Sequence, residues 1–435
     1  MSVPAGKTLA SAALAASVLL APWPAGSVGP VACHLLAFLA ALAGLGLSLS
    51  DPGPLPKPAS PFLAGLLVWS AWVFVQLIPL PASFLALASP RAYQLHAQVM
   101  AKDLPPRRSL PLSLTPALTQ EELVKLIAFT LAFAATARLG REAPRRALLS
   151  GVLFAAAVAV AGFGLLLRAG GLGFAWLPDY HHVGPAIGPF ANHNHFADFI
   201  AAPALLGPGL MQNRSRVFRL LIVSALLILG SGLLASGSRA GLLATGAEIA
   251  FYLLTGKSQA RLAGAGFILL ALTALAIRLP LLPAGLDRAR EDFFSVRWPI
   301  WNSALLLCAD FPWTGAGAGS FAAVEPAYSL LQLPAAAVHA HCDYLEWLAE
   351  SGGPMGLFAL FTFGWGLVRL AREFRAWDRL TRGALAGVGV LLGHAGVDFS
   401  FHVPAVALAA AVLLGLAASY PALENPRPEE APASC

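Results

Sequence analysis

The feature that most constrains this chain is a succession of apolar runs about 20 residues long, the length a helix needs to cross the roughly 30 Å hydrocarbon core of a bilayer. They fall at about 9–22, 31–49, 61–80, 121–139, 148–168, 191–211, 217–235, 240–256, 262–280, 354–371, 384–400 and 403–420. Ala and Leu dominate them, and both favour helix. An outer-membrane barrel would instead alternate apolar and polar residues in shorter segments. Composition agrees: 57% of the 435 residues are hydrophobic and 11% are charged, against roughly 25% charged in a soluble domain. Mean hydropathy is +0.71. Disorder is excluded, because disordered chains are poor in apolar residues. The expected fold is an all-α polytopic integral membrane protein with about twelve transmembrane helices. It forms one polytopic domain over 1–420, and the Pro/Glu-rich 421–435 tail is expected to be disordered.

Basic residues set the expected orientation. Lys57; Arg138, Arg141, Arg145 and Arg146; Arg214, Arg216 and Arg219; Lys257 and Arg261; and Arg369, Arg372, Arg375, Arg379 and Arg382 occupy alternate short loops. The positive-inside rule is most reliable in such loops and places them in the cytoplasm, with both termini. The first run, after Lys7, also fits a cleaved signal peptide. No clean small-x-small site precedes Pro22-Trp23-Pro24, so a retained helix is expected. The longer loops then face outward: 81–120, which is Pro-rich from Leu104-Pro105-Pro106 to Pro116; 169–190, with His181 and His182; and 281–353, between helices nine and ten. The net charge of +6 marks the cytoplasmic loops and an anionic-ligand site rather than nucleic acid. Cys33, Cys308, Cys342 and Cys435 form no CxxC pair, so no disulfide framework is expected.

Four polar segments, distant in sequence, share the outer face. Gly188–His195 carries Asn192, His193, Asn194 and His195, and Ser236-Gly237-Ser238-Arg239 is a short turn. Arg297 precedes Trp298-Pro299-Ile300-Trp301-Asn302, and His339-Ala340-His341-Cys342-Asp343 leads to Glu346 and Glu350. Arg239 at a helix start suits a phosphate, and equally suits snorkelling to the interface. Arg297 is either an interface anchor or, with Arg239, part of a diphosphate grip. His341 lies at the start of a helical stretch, and His339 and Asp343 (i,i+4), Asp343 and Glu346 (i,i+3) and Glu346 and Glu350 (i,i+4) make one acidic face running from the His pair. That face is either solvated, or it holds a His positioned by a carboxylate as a general base. No further ligands follow the two His at a zinc spacing, so neither metal nor cofactor is expected. Asp198, Glu248 and Asp398 lie in or near spans, and are either functional candidates by that position or structural partners of an Arg or His across helices. His394 and Asp398 are spaced to pair along one helix. Gly315–Gly319 follows Pro312-Trp313 rather than a strand, so it reads as a tight loop and not a dinucleotide fingerprint.

These segments resemble the O-antigen ligase and Wzy-type polymerase superfamily. The resemblance is carried by GPFANHNHFADF (188–199), SGSRAGLLA (236–244), RWPIWNSAL with DFPWTGAGAGSF (297–321) and HAHCDYLEWLAESGGPMG (339–356), in the family's order. QLIPLP (76–81) and SLTPALT (113–119) upstream also resemble it. The resemblance implies a GT-C-like, metal-independent glycosyltransferase in the bacterial inner membrane with a periplasmic active site. It implies an undecaprenyl-diphosphate-linked glycan as donor and an acceptor hydroxyl on lipid A-core or on a second lipid-linked repeat unit, as in O-antigen or exopolysaccharide assembly. His341 matches the family's acceptor-activating histidine, and Arg239 and Arg297 match its diphosphate-binding arginines. Asn192, Asn194, His339, Asp343 and Glu350 are expected to support them. Cys342 departs from the pattern, since Asn commonly follows that histidine. The implied partners are these lipid-linked substrates and membrane lipids, not nucleic acid. A transporter or flippase remains the alternative, although transporters concentrate polar residues at the midplane and this chain shows no internal repeat.

Overall fold

The computed structural model describes residues 3–51, 53–103, 108–170, 185–254, 296–329, 337–372 and 377–419. The expected ninth span, His181, His182, Lys257, Arg261, Arg375 and the 421–435 tail lie outside the described residues. In chain order the helices are α1 (Val3–Leu20), α2 (Pro30–Ser50), α3 (Ser60–Leu77), α4 (Ala82–Ala88), α5 (Pro90–Asp103), α6 (Pro116–Leu139), α7 (Ala143–Arg168), α8 (His193–Ala204), α9 (Gly207–Leu210), α10 (Arg216–Ser236) and α11 (Arg239–Leu254). There follow α12 (Trp298–Asp310), α13 (Phe321–Val324), α14 (Asp343–Ser351), α15 (Gly353–Arg372), α16 (Arg379–Ala395) and α17 (Pro404–Ala418). The strands of the described residues are β1 (Leu80–Pro81) and β2 (Ser109–Leu110), paired antiparallel. The protein is thus all-α.

Among the described residues five helices are long and apolar enough to cross a membrane: Pro30–Ser50, Lys57–Leu77, Ala143–Arg168, Arg216–Ser236 and Gly353–Leu370. Their outward faces carry large apolar side chains such as Phe38, Phe74, Leu220, Leu227 and Phe361, all more than half exposed. Such a belt is unfavourable in water and ordinary in lipid. α17 is the opposite case. Every residue from Pro404 to Ala418 is buried, so it is apolar on all sides and sits inside the bundle. It packs on α6, α16 and α8.

Helix ends follow local chemistry. Pro at the first turn starts α2, α6 and α17, where its missing N–H costs nothing. Gly237, with φ of +66°, closes α10, and the Ser238 Oγ then accepts the Gly241 N–H at 3.2 Å to start α11. On the arginine-rich side, Arg146 grips Asp378 through two bonds of 2.6 and 2.9 Å, tying α7 to the start of α16.

Two cores separate the molecule into layers. The larger one holds the buried faces of the apolar helices. The smaller joins Leu85, Ala92, Leu110 and Leu112 to Ile300, Leu307, Phe311, Phe321, Ala340 and Ala349. The 81–120 and 296–351 segments therefore fold on each other rather than lying as separate loops.

Candidate active site

The smaller core presents its polar residues to the ends of α8 and α16. A loop of three left-handed glycines anchors the arrangement. Gly315, Gly317 and Gly319 have φ of +68°, +109° and +74°, a conformation that costs glycine little. A Cβ on Gly315 would stand 2.1 Å from the Glu350 carbonyl oxygen. The loop wraps the Glu350 carboxylate, which accepts the Gly319 N–H at 2.8 Å and the Phe321 N–H at 2.9 Å. Gln76, fully buried, donates to the carbonyls of Thr314 and Glu350 and accepts the Ala318 N–H. The Thr119 hydroxyl donates to the Ala318 carbonyl, and the Leu114 N–H to that of Ala316. The two upstream motifs, around 76–81 and 113–119, thus clamp the glycine loop.

The segment before α14 carries His341 in a left-handed conformation, with φ of +49°. A residue with a Cβ pays strain for that, and such strain gathers at functional sites. The Trp301 indole N–H donates to the His341 carbonyl at 3.4 Å, and the Asp343 N–H donates to the Asp398 carbonyl at 3.2 Å. These bonds set the His341 ring against Asp398, with Nδ1 at 3.4 Å from Oδ1. Asp398 is fully buried. It also accepts from the Asn194 amide and from the Phe399 N–H, and it lies 3.9 Å from His195 Nε2. Asn192 caps α8, its side chain accepting the Asn194 N–H at 2.8 Å. His193, the first residue of α8, follows this cap directly. Arg239 opens α11 with an exposed side chain. Arg297 is half-buried ahead of α12, and its Nε has no hydrogen-bond partner among the described residues.

Four expectations need correcting. His339 is not on a helix with Asp343, because α14 begins at Asp343. The acidic face of α14 is not solvated: Asp343, Glu346 and Glu350 are at most 3% exposed. The carboxylate beside His341 is neither Asp343 nor Glu350, but Asp398. Nor does His394 pair with Asp398. α16 ends at Ala395, and His394 Nδ1 instead bonds Asp198 at 2.5 Å, with the Ser400 hydroxyl on the other carboxylate oxygen at 2.6 Å.

Asp343 and Glu346 belong to a second network. His402 Nδ1 bonds Asp343 at 2.6 Å, and its Nε2 lies 3.2 Å from Glu346 Oε1. His339 Nδ1 bonds the same oxygen at 2.8 Å, and the Ala340 N–H bonds the other at 2.7 Å. Burial alone would depress the His402 pKa. Glu346 and Asp343 outweigh it and hold the imidazole up to about 10. Burial pushes Glu350 the other way, up to about 8, with Glu346 adding to the shift. His402 gave no sequence signal, being a lone histidine before a proline and an apolar run.

Histidine and carboxylate side chains thus gather between α14 and the ends of α8 and α16, with Arg239 and Arg297 at the starts of α11 and α12. Residues 224–361, about a third of the chain, match the family model for O-antigen ligase. The match takes in Arg239, Arg297, the glycine loop and His341, and leaves Asn194, Asp398 and His402 outside it. No curated protein matches the chain.

Proposed function

We propose that this protein is a glycosyltransferase of the periplasmic face of the bacterial inner membrane, moving a glycan en bloc from undecaprenyl diphosphate to an acceptor hydroxyl. The observation that carries the reading is His341 held strained beside the buried Asp398, within the segment order of the O-antigen ligase family. A proton on Nδ1, toward Asp398, leaves Nε2 free to act as a base. The 3.4 Å separation is long for a hydrogen bond, and such contacts tighten in reacting complexes.

In this reading the acceptor hydroxyl gives its proton to His341 Nε2, and its oxygen attacks the anomeric carbon. The bond from that carbon to the diphosphate oxygen breaks, with inversion. The departing undecaprenyl diphosphate gains negative charge, which Arg239 and Arg297 stabilise. Asn192 and Asn194 hold the Asp398 side of the site. His339, Asp343 and Glu350 shape the loop that carries His341 and do not touch the reacting atoms. About twelve spans with both termini cytoplasmic complete the reading, and place the large loop after the ninth helix.

The test is reconstitution with a radiolabelled undecaprenyl-diphosphate-linked oligosaccharide, alone and with lipid A-core. A product ladder from donor alone identifies a polymerase, and transfer only with lipid A-core identifies a ligase. His341→Ala is expected to lose about 10²–10⁴-fold in rate, and Arg239→Ala to lose transfer as well. Wild-type rates in both variants would sink the assignment. Flipping of the donor without its consumption would favour the transporter.

A further inference from the structure

The His339, Glu346 and His402 network has more order than an ion pair requires. His339 Nδ1, Glu346 Oε1 and His402 Nε2 all lie within 4.8 Å of one another. Two of the separations are 2.8 and 3.2 Å. Ligands about 2.0–2.1 Å from a tetrahedral zinc are about 3.3 Å apart, so only a small opening of the pair is needed. Two of the three donors are oriented from behind. His402 Nδ1 points at Asp343, which leaves Nε2 as the nitrogen facing Glu346. The second Glu346 oxygen is held by the Ala340 N–H. A carboxylate behind a histidine, with the other ring nitrogen turned to a shared point, is the arrangement found behind metal-bound imidazoles.

His339 and His402 line a cavity of about 250 Å³, together with Cys33, His34, Glu121 and Lys125. It gives an entry path and room for water as a fourth ligand. Lys125 also faces this space, and its ammonium is paired with Glu122. Chain spacing hides the set, because His402 is far from His339 and Glu346 in sequence.

We infer that His339, Glu346 and His402 form a binding site for one divalent transition-metal ion of the zinc class, which pins the loop carrying His341 to the turn before α17. Two imidazoles and a carboxylate favour zinc-like ions over Mg²⁺ or Ca²⁺, which prefer all-oxygen shells. As the ion enters, the proton between His402 Nε2 and Glu346 leaves to solvent and His339 moves its proton to Nε2. The role is structural, and it stands whether or not the glycosyl-transfer reading does.

The experiment uses the full-length chain in detergent, stripped with EDTA and dialysed against Zn²⁺ alone, with bound metal counted by mass spectrometry. About one Zn²⁺ per chain is expected, with an upward shift of the unfolding temperature on addition. His402→Gln is expected to weaken binding at least tenfold. Should that variant fail to fold, His339→Gln serves, since its ring is partly exposed and makes one hydrogen bond. Co²⁺ in the unsubstituted protein is expected to show the visible absorption of a four-coordinate site. Substoichiometric zinc, no cobalt spectrum, or full affinity in His339→Gln would each overturn the site. So would affinity lost in Cys33→Ser with His34→Gln while His339→Gln binds normally, because the ion would then sit on other residues of the cavity.

Discussion

At the residue scale the assignment turns on Asp398. It is buried and shared among His341, Asn194 and the Phe399 N–H, with His195 close by. Replacing it with Asn keeps the volume and removes the charge that favours a proton on the facing nitrogen. Asp398→Asn is expected to lower transfer at least about tenfold, with donor binding retained, as for a residue that positions a base. An unchanged rate would separate Asp398 from the reaction. Glu350 carries a second prediction. Its folded pKa, about 8, lies above the ordinary carboxyl value of 4.5, so folding favours the protonated form. Its contribution to stability is complete below the ordinary value and is lost as pH rises through about 8. Glu350→Gln is expected to flatten the fall in unfolding temperature between pH 5 and 8. A slope unchanged from wild type would show that other groups set it.

At the element scale the site depends on a glycine loop that other segments hold in place. Gly315→Ala forces a Cβ into the Glu350 carbonyl at a positive φ. Gln76→Ala removes the bonds to the Thr314 carbonyl and the Ala318 N–H and one of the two to the Glu350 carbonyl, which keeps the Gly317 N–H. Each change is expected to cost about 3 kcal/mol, seen as an earlier thermal transition in detergent. A cost below about 0.5 kcal/mol, the range of ordinary surface changes, would show that the loop is not held as described. The short elements divide in the same way. The start of α11 is legible, since Ser-Gly-Ser before a helical run is a stop followed by a cap. The start of α14 is legible to within two residues of His341, but the i,i+4 spacing from His339 to Asp343 carries the face back across a residue that the fold turns left-handed.

At the scale of the whole molecule, orientation is the open quantity with a direct test. In a cysteine-free background, Trp313→Cys lies in the loop expected outside and Arg141→Cys in one expected inside, both at exposed positions. A membrane-impermeant maleimide added to intact cells is expected to label the first and not the second. The reverse pattern would invert the orientation and put His341 in the cytoplasm. The smaller core bears on this too. The 81–120 and 296–351 segments bury apolar side chains against each other, so the site rests on a folded layer.

What the sequence determined by itself is the class of fold, most helix boundaries, and the polar residues set apart from apolar runs. Those follow from local quantities: the apolar length a bilayer requires, the propensities of Ala and Leu, and the rules of helix capping. Only the tertiary structure decided who pairs with whom. Asp398 faces His341 rather than His394, Asp343 and Glu346 turn to His402, and Glu350 is bound by a loop about thirty residues upstream. Buried charges must find partners in space, and chain order does not say which helix ends the bundle brings together.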